Sequence, residues 1–578
     1  MHPDQAMEHL GAYGRFQMCV LALGCLITFA CAWQFLGITF LAQDPEHHCR
    51  LPAGVTELNG TIPYEDGKWA QCSIYDPAST KTPPANISCP NGWKYSGEFQ
   101  KTVTAEWDLV CGNAFMKDTA SAVFMAGVLV GALTLPTIAD MIGRKRVISV
   151  GLAAMFVFSA TIVFVKSFVA FIVMRFFTAL LLSGSYLSLY VLCLEWFPPA
   201  QRAFAGVVFW VPWVGGYCVL PVIAYFVHDW RHLQLIFTIP IAVVFCYPWL
   251  LPESVHWLVS QNKRDTAMEL VQKAAKTNGS TLPDKFNLNA PEKSSEEGKK
   301  TLWHVLHTPL LRVYAVMMCF LWFVNSLVYY GLSFGVASWG GNIYVNFFLA
   351  GLIEAPSYVV LIISMKWWGR QKPTCVFHLI AGIPLLILPF LPQKTGPCFD
   401  LPGERPITPP VGSTSYFAHG SNIIGKFGIS TSFGAIYLFA SELYPTVVRN
   451  AGLGISSVFA RIGGIIAPYL ANSIGILEPK APPLIFAALS ILAAVVSVII
   501  PETSQLPLME SLEDSRFLSK SYRDARLLIA QEPRETSLET KPTNNKVRPI
   551  DVEPVFTLHN SMQEKEDPKP IVTYHTSL

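Results

Sequence analysis

The segment Glu195-Trp196-Phe197-Pro198, with Arg202 four residues beyond its proline, follows directly after a long apolar run. The same pattern, E-x-x-P-x-x-x-R, follows a later apolar run as Glu442-Leu443-Tyr444-Pro445 with Arg449. Charged residues that end an apolar run are typical of a helix that leaves a membrane. The recurrence of the whole pattern indicates that the second part of the chain repeats the first.

Two more motifs recur in the same order as the first. Gly143-Arg144-Lys145 returns as Gly369-Arg370, and Pro252-Glu253-Ser254 returns as Pro501-Glu502-Thr503. Each copy follows the corresponding apolar run, so coincidence does not explain the three motifs together. The chain therefore consists of two related halves.

Twelve apolar runs are long enough to cross a membrane, which requires roughly 20 mostly apolar residues. They lie at 17–42, 118–139, 146–166, 168–194, 203–226, 232–251, 310–332, 343–365, 374–392, 418–441, 450–474 and 482–500. The sequence thus predicts an all-α membrane protein with twelve transmembrane helices. The predicted parts are two six-helix halves at 1–251 and 310–500, a cytoplasmic linker at 252–309 and a flexible tail at 501–578.

The composition supports this class of protein. Hydrophobic residues make up 52% of the 578 residues and charged residues 14%, whereas soluble domains carry roughly 25% charged residues. These values exclude a chain of soluble domains, a disordered protein and a small disulfide-rich secreted module. The net charge of +2 gives no basic excess that would indicate binding to nucleic acid.

Lysine and arginine residues in the short loops predict the orientation of the helices. They are found in the loops after helices 2, 4, 8 and 10. We therefore expect these loops, the linker and both termini to be cytoplasmic in a multi-pass plasma-membrane protein. The large loop after helix 1, at 43–117, is then extracellular.

Cysteines in the large loop are consistent with an extracellular location. Cys49, Cys72, Cys89 and Cys111 would lie in an oxidising compartment, where they are expected to form two disulfide bonds in one of three pairings. Cys398 is a fifth predicted extracellular cysteine and has no obvious partner.

Glycosylation sequons agree with the same orientation. Asn59 and Asn86 each begin an N-x-[ST] tripeptide in the large loop and are the predicted glycosylation sites. A third sequon, at Asn278, falls in the predicted cytoplasmic linker and should stay unmodified.

Two six-helix halves in parallel repeat indicate a rocking secondary transporter with a substrate site between the halves. Charged residues at the cytoplasmic helix ends are then predicted to form ion pairs that break when that side opens. The predicted gating residues are Asp140, Arg144, Glu195, Arg202, Arg370, Glu442 and Arg449. The alternative is that they only anchor helix ends; we favour gating for the E-x-x-P-x-x-x-R motif because it recurs, and anchoring for Lys145 and Arg146.

Several motifs resemble those of a known family. Asp140-Met141-Ile142-Gly143-Arg144-Lys145-Arg146 resembles the loop 2–3 signature of the major facilitator superfamily. Thr104-Ala105-Glu106-Trp107-Asp108-Leu109-Val110-Cys111 and Glu442-Leu443-Tyr444-Pro445-Thr446-Val447-Val448-Arg449-Asn450 are similar to those of solute carrier family 22, over roughly residues 10–510. The resemblance implies the major facilitator fold and transport of organic cations, anions or zwitterions such as carnitine.

Ionisable residues inside apolar helices are costly and are therefore candidates for function. Glu354 in helix 8 and Arg461 in helix 11 are the two candidates. Lys426 and Arg175 lie nearer the ends of their predicted helices, where their side chains could snorkel to the membrane surface. In the family that the chain resembles, an arginine at position 461 is typical of anion and carnitine-type carriers, and a glutamate at 354 is typical of cation and carnitine-type carriers.

The two candidates together fit a zwitterion. The fixed fork of an arginine suits a carboxylate, and a glutamate with aromatic faces suits a quaternary ammonium. The remaining predicted substrate-binding residues are Tyr329, Tyr330, Trp322, Phe433, Ser457, Trp210 and Tyr217; of these, Tyr329, Tyr330, Phe433 and Ser457 are implied by the resemblance, as is Arg461. The alternatives are packing for the aromatic residues and a permanent internal ion pair with a glutamate of the same half for Arg461.

These observations predict a polyspecific organic-ion transporter that favours zwitterions or cations and works by alternating access. An organic-anion exchanger is the alternative, and a non-transporting membrane sensor is a remote one. The sequence has no P-loop and no metal-spaced Cys/His set, so we predict neither an enzyme nor a primary pump, and no cofactor or metal. The same residues are expected in a uniporter, a Na⁺ symporter and an exchanger against a counter-ion, so the sequence does not distinguish these three modes of coupling.

The expected partners are a small organic ion and the lipid bilayer. The terminal Thr576-Ser577-Leu578 also matches the C-terminal form that adds to the edge of a PDZ domain, which is a predicted third partner.

Overall fold

The computed structural model describes residues 3–51, 61–65, 68–76, 85–283, 288, 307–390, 413–445 and 448–504. The predictions made for Asn59, Cys398, the terminal Thr576-Ser577-Leu578 and nearly all of the 501–578 tail lie outside the described residues.

Within this part of the chain, twelve helices are long and apolar enough to cross a membrane, so the predicted number is confirmed. Helices 1–12 are Arg15–Leu41, Cys111–Ile142, Arg144–Phe164, Phe168–Glu195, Pro199–Phe226, Trp230–Leu250, Pro309–Trp339, Ile343–Trp368, Gln371–Phe390, Phe417–Leu443, Arg449–Leu477 and Ala481–Ile499. Helix 10 is continuous with a further turn that begins at Ser413.

Equivalent helices pack in equivalent pairs in the two halves. Helix 1 lies along helix 5 as helix 7 lies along helix 11, and helix 3 lies along helix 6 as helix 9 lies along helix 12. Glycine makes the first of these contacts in both halves. A Cβ at Gly216 of helix 5 would lie 2.3 Å from the backbone oxygen of Phe29, and one at Gly463 of helix 11 would lie 2.4 Å from that of Phe323. Small residues thus let the backbones of paired membrane helices approach closely.

The loop after helix 1 contains strands that the prediction of an all-α chain missed. Six short strands form three antiparallel pairs: β1 (Glu46–Cys49) with β6 (Trp93–Ser96), β2 (Tyr64–Glu65) with β3 (Lys68–Trp69), and β4 (Ser73–Tyr75) with β5 (Asn86–Ser88). Asn86, a predicted glycosylation site, is exposed on β5.

One disulfide bond links two parts of the loop, and a second connects the loop to the start of helix 2. The four predicted cysteines form the pairs Cys49–Cys89 and Cys72–Cys111. A short helix, Val103–Glu106, then holds the loop against helix 6, because Glu106 pairs with Arg231 and accepts a 2.7 Å hydrogen bond from the indole of Trp230. We call this side of the membrane bundle the loop face.

In the part of the chain that the structure describes, three helices lie on the opposite side, which we call the linker face: Pro3–Leu10, Val255–Ser260 and Arg264–Asn278. Asn278, at the end of the last, connects them to helix 1. Its side chain accepts from the Phe16 amide at 2.9 Å and donates to Leu10 O and Gln17 Oε1 at 3.0 and 2.8 Å. The side-chain amide of Asn278, the asparagine of the third sequon, is therefore used in hydrogen bonds that stabilise the fold.

Replacing Gly463 tests the close packing of helices 7 and 11. We expect Gly463→Ala to force the two backbones apart and to lower the free energy of unfolding by about 1–3 kcal/mol, measured as a lower midpoint temperature of the detergent-purified protein. Gly454→Ala on the same helix is the matched control, since no atom outside the helix's own backbone lies within 4 Å of its added Cβ. Equal midpoints for the two variants would contradict the packing.

Candidate functional site

A buried ion pair lies at the centre of the second half. Glu354 of helix 8 and Lys426 of helix 10 are 1% and 0% exposed, and Lys426 Nζ lies 3.1 Å from Glu354 Oε1. The prediction that Lys426 snorkels to the membrane surface is wrong. The helix that carries it begins at Ser413, so Lys426 sits well inside the helix and its charge is compensated by a carboxylate.

Aromatic and polar groups complete the surroundings of the Lys426 ammonium. Its Nζ lies 3.3 Å from the centre of the Tyr329 ring and 5.5 Å from that of Tyr217. It also donates a 2.7 Å hydrogen bond to Ser333 Oγ. We call this group of four residues, Glu354, Tyr329, Ser333 and Tyr217, the ammonium site. It includes two predicted aromatic residues and Ser333, which the sequence analysis missed.

An aromatic wall extends from the ammonium site along helices 7 and 10. Ring centres are 5.2 Å apart for Tyr329 and Tyr330, 5.8 Å for Tyr329 and Phe433, and 4.2 Å for Trp322 and Tyr437. The structure thus brings the four predicted aromatic residues of these helices together. Tyr437 was not predicted, although it lies four residues after Phe433 and therefore on the same helical face.

Arg461 lies beside the aromatic wall without an acidic partner. It is half-buried on helix 11 and interacts with Tyr330, and Tyr437 lies close enough to be affected by its charge. Among the described residues no carboxylate lies within 4.0 Å of its guanidinium, and its Nε has no hydrogen-bond partner. The described residues thus do not form the alternative internal ion pair with Arg461, because the glutamate of this region pairs with Lys426.

The other predicted binding residues occupy different positions. Ser457 is half-buried one turn before Arg461 on the same helix. Trp210 of helix 5 packs against Tyr186 at 5.6 Å and Tyr190 at 6.3 Å. Trp210 therefore packs against helix 4 and its neighbour Phe209, and none of its described ring contacts involves the ammonium site.

The prediction that the Arg175 side chain snorkels to the membrane surface is also wrong. It is 1% exposed and its guanidinium lies 4.6 Å from the Phe124 ring and 5.9 Å from the Phe171 ring. It donates to the backbone oxygen of Gln34 at 3.5 Å. The side chain is thus enclosed within the first half and does not reach the membrane surface.

The repeated motifs form one cluster on the linker face of each half. In the first half, Arg144 pairs with Glu195, and Ser254 Oγ donates to Glu195 at 2.5 Å. Glu253 accepts from the backbone amides of Arg144 and Lys145, both at 3.1 Å. Its carboxylate therefore caps the N-terminus of helix 3, where a negative charge is favoured.

The second half repeats this arrangement. Arg370 pairs with Glu442 at 2.8 Å, and Thr503 Oγ1 donates to Glu442 at 2.8 Å. Glu502 accepts from the amides of Arg370 and Gln371 at 2.8 and 3.0 Å and so caps helix 9. Both capping glutamates belong to the repeated motifs, but the sequence alone predicts no role for them.

Each of these ion pairs joins helices of a single half. Asp140 also pairs with Arg144, at 3.3 Å. Arg202 pairs with Asp4 of the N-terminal helix and donates to the backbone oxygen of Phe197, as Arg449 donates to that of Tyr444. The role of these residues as gates stays a prediction; their geometry holds the linker-face end of each half together.

Several hydrogen bonds between the halves lie toward the loop face. Asp118 of helix 2, which is 1% exposed, accepts from Asn472 Nδ2 at 2.8 Å and from Ser473 Oγ at 2.5 Å. Tyr469 donates to Thr119 at 3.0 Å. The three helix 11 residues belong to a π-helical turn, Tyr469–Ser473, a feature found frequently at functional sites.

Helix 8 makes a second loop-face contact with the first half. Tyr344 stacks on Phe40 of helix 1 with ring centres 5.7 Å apart and donates a 2.7 Å hydrogen bond to Glu98 of the loop. Together with the Asp118 contacts it closes the loop face between the halves.

Twelve membrane helices in two repeated halves, with charged and aromatic groups at the centre, define a secondary transporter of the major facilitator type. Comparison with known families agrees with this class. The model of the sugar (and other) transporter family matches residues 105–514. The chain belongs to this family and, within it, to solute carrier family 22.

Relatives of the chain align along nearly its whole length. It is 32% identical over 542 residues to a Drosophila melanogaster organic cation transporter protein, covering 89% of this chain and 95% of the relative. It is 30% identical to rat solute carrier family 22 member 3, covering 90% and 96%. It is 30% identical to human organic anion transporter 3, covering 88% and 93%.

A solved structure shows the same fold. The inward-open xylose transporter XylE of E. coli superposes with a TM-score of 0.56 at 12% identity, covering 85% of this chain and 98% of that one.

Removing the Asp118 carboxylate tests the contact between helices 2 and 11. We expect Asp118→Ala to weaken loop-face closure by about tenfold or more, because hydrogen bonds to a charged group contribute about 1.5–3 kcal/mol each. The measurement is the rate of disulfide formation between cysteines introduced at Thr119 and Tyr469, with and without Asp118→Ala. Lys480→Ala, at an exposed loop-face position, is the control, and an unchanged rate in Asp118→Ala would contradict the contact.

Proposed function

We propose that the protein transports organic ions across the plasma membrane by alternating access and favours zwitterions that carry both an ammonium group and a carboxylate, such as carnitine. The observation that carries this proposal is Arg461, a cation beside the aromatic wall with no carboxylate partner among the described residues. A guanidinium in this position suits the carboxylate of a substrate. The aromatic wall and Glu354 suit its ammonium group.

Orphaned polar atoms in the same region support a polar ligand. Among the described residues, the Tyr217 hydroxyl, the Trp322 indole nitrogen and Arg461 Nε have no hydrogen-bond partner. Buried polar groups are normally paired. A bound ion with both donors and acceptors is the kind of molecule that would satisfy them.

One observation favours organic-anion transport as a second candidate. Lys426 already neutralises Glu354, so Glu354, Lys426 and Arg461 together carry one net positive charge. A substrate with a carboxylate and no ammonium group would compensate that charge equally well. Similarity of the chain to both a cation and an anion transporter leaves both candidates for the experiment to separate.

The orientation in the plasma membrane is part of the proposal. The exposed Asn86 and both disulfide bonds lie on the loop face, which suits the extracellular side. The arginine-rich motifs lie on the opposite face, which suits the cytoplasm. Both termini are then cytoplasmic.

Uptake of three probes by cells that express the protein separates the candidates. We expect carnitine to be taken up better than tetraethylammonium, which has no carboxylate, and better than para-aminohippurate, which has no quaternary ammonium. Uptake of para-aminohippurate alone would favour the anion transporter, and no uptake of any probe would overturn the proposal.

Substitutions at the pocket test the residue assignment. Arg461→Ala should lower carnitine uptake by about 10- to 100-fold, as expected for lost hydrogen bonds to a charged group, and Arg461→Lys should recover part of it, since lysine keeps the charge without the fork. Glu354→Gln should also reduce or alter uptake. Arg312→Ala, at an exposed position of helix 7, is the control. Normal uptake in both Arg461→Ala and Glu354→Gln, at equal surface expression, would reject the site.

A further inference from the structure

Lys426 has the interactions that a bound organic ammonium ion would require. A cation inside a membrane protein is stabilised by a carboxylate, by aromatic faces and by hydrogen-bond acceptors. Lys426 Nζ has Glu354 at 3.1 Å, the Tyr329 ring at 3.3 Å and Ser333 Oγ at 2.7 Å. Part of the protein itself therefore fills the ammonium site.

Few other carboxylates are available to pair with a cationic substrate. Among the described residues, the acidic side chains within the membrane helices and away from the linker-face motifs are Glu354 and Asp118. Asp118 is bonded to Asn472 and Ser473 where it joins the halves. A substrate ammonium that pairs with a carboxylate in the pocket must therefore use Glu354, which Lys426 occupies.

We propose that Lys426 is a tethered competitor of the substrate cation: its ammonium fills the ammonium site when the pocket is empty, and a bound organic ammonium ion displaces it. This inference rests on the proposed function and adds how the pocket is kept neutral between substrates. A lysine is suited to this role, because its charge is carried on four flexible methylene groups.

Displacement also alters the contact between the halves. Tyr217 belongs to helix 5 of the first half, whereas Glu354, Tyr329 and Ser333 belong to the second. When Lys426 leaves, its attraction to the Tyr217 ring across the 5.5 Å between them is lost. Substrate binding thereby changes a contact that spans the two halves, at the place where they must move.

The alternative is that Glu354 and Lys426 form a fixed ion pair that substrates never disturb. Displacement and a fixed ion pair differ in what happens to the Lys426 amine when a cation binds. A displaced amine leaves an enclosed site and becomes reactive, whereas a fixed amine stays protected.

Amine labelling of the purified protein distinguishes them. We expect acetylation of Lys426 by an N-hydroxysuccinimide ester, followed by mass spectrometry, to increase when tetraethylammonium is added. Acetylation of Lys480, which is exposed on the loop face, is the internal control and should not change. Equal or lower labelling of Lys426 at saturating tetraethylammonium, with saturation shown by thermal shift, would overturn the proposal.

Ser333→Ala provides a second test without a change of charge. It removes the hydrogen bond that holds Lys426 in the ammonium site, and tetraethylammonium cannot donate a hydrogen bond to Ser333 and so loses nothing itself. We expect the apparent Kd for tetraethylammonium to fall by about 3- to 10-fold. Ser338→Ala at the loop-face end of helix 7, whose hydroxyl bonds only to the backbone of Gly335 in the described contacts, should leave the Kd unchanged. A Ser333→Ala Kd equal to that of the unaltered protein would contradict displacement.

Lys426→Gln removes the competitor altogether. We expect it to bind tetraethylammonium at least about tenfold more tightly, since a charged hydrogen-bonded partner no longer competes, and to bind para-aminohippurate more weakly. If this variant does not fold, the labelling and Ser333→Ala results decide. Failure of the proposed function would appear separately, as poor transport of carnitine by the unaltered protein. Absence of tetraethylammonium binding in both the unaltered protein and a folded Lys426→Gln variant would overturn the inference.

Discussion

The central constraint on this protein is that a charge buried inside the membrane must be compensated by the groups around it. Lys426 meets it through Glu354, and the two side chains are almost completely buried together. The carboxylate of Glu354 is therefore already paired, whereas Arg461 has no carboxylate partner among the described residues. The proposed preference for substrates that carry a carboxylate rests on this difference.

The same requirement explains which charged contacts form within each half and which form between the halves. On the linker face, each charged motif finds its partner inside its own half, so each half is a self-contained unit at that end. On the loop face, the halves are connected by the Asp118 hydrogen bonds and by aromatic contacts of helix 8, including Tyr344 with Phe40 and Phe347 with Tyr217. Opening the loop face requires these contacts to break.

The sequence predicts helices more securely than it predicts side-chain partners. The twelve apolar runs and the three repeated motifs follow from composition and order along the chain, and the structure confirms the twelve helices. The pairing of Lys426 with Glu354 does not follow, because it depends on how helices 8 and 10 are rotated about their axes. Lys426 was also misplaced because the apolar run begins at 418, whereas the helix begins at Ser413, and the polar first turns carry no hydropathy signal. The strands of the large loop were missed because they have only two to four residues each, too few for a periodic pattern.

The capping glutamates show why some positions of the repeat are alike and others are not. Glu253 and Glu502 each bind two backbone amides at the start of the helix they cap, and the second of these amides comes from Lys145 in one half and from Gln371 in the other. The bond uses no atom of either side chain, so the position is free to differ in charge between the copies. The glycine before each arginine has no such freedom, since a Cβ there would lie 2.7 Å from Glu253 or 2.5 Å from Glu502. A contact can thus be the same in both halves even where the residues differ, provided that those residues contribute only main-chain atoms to it.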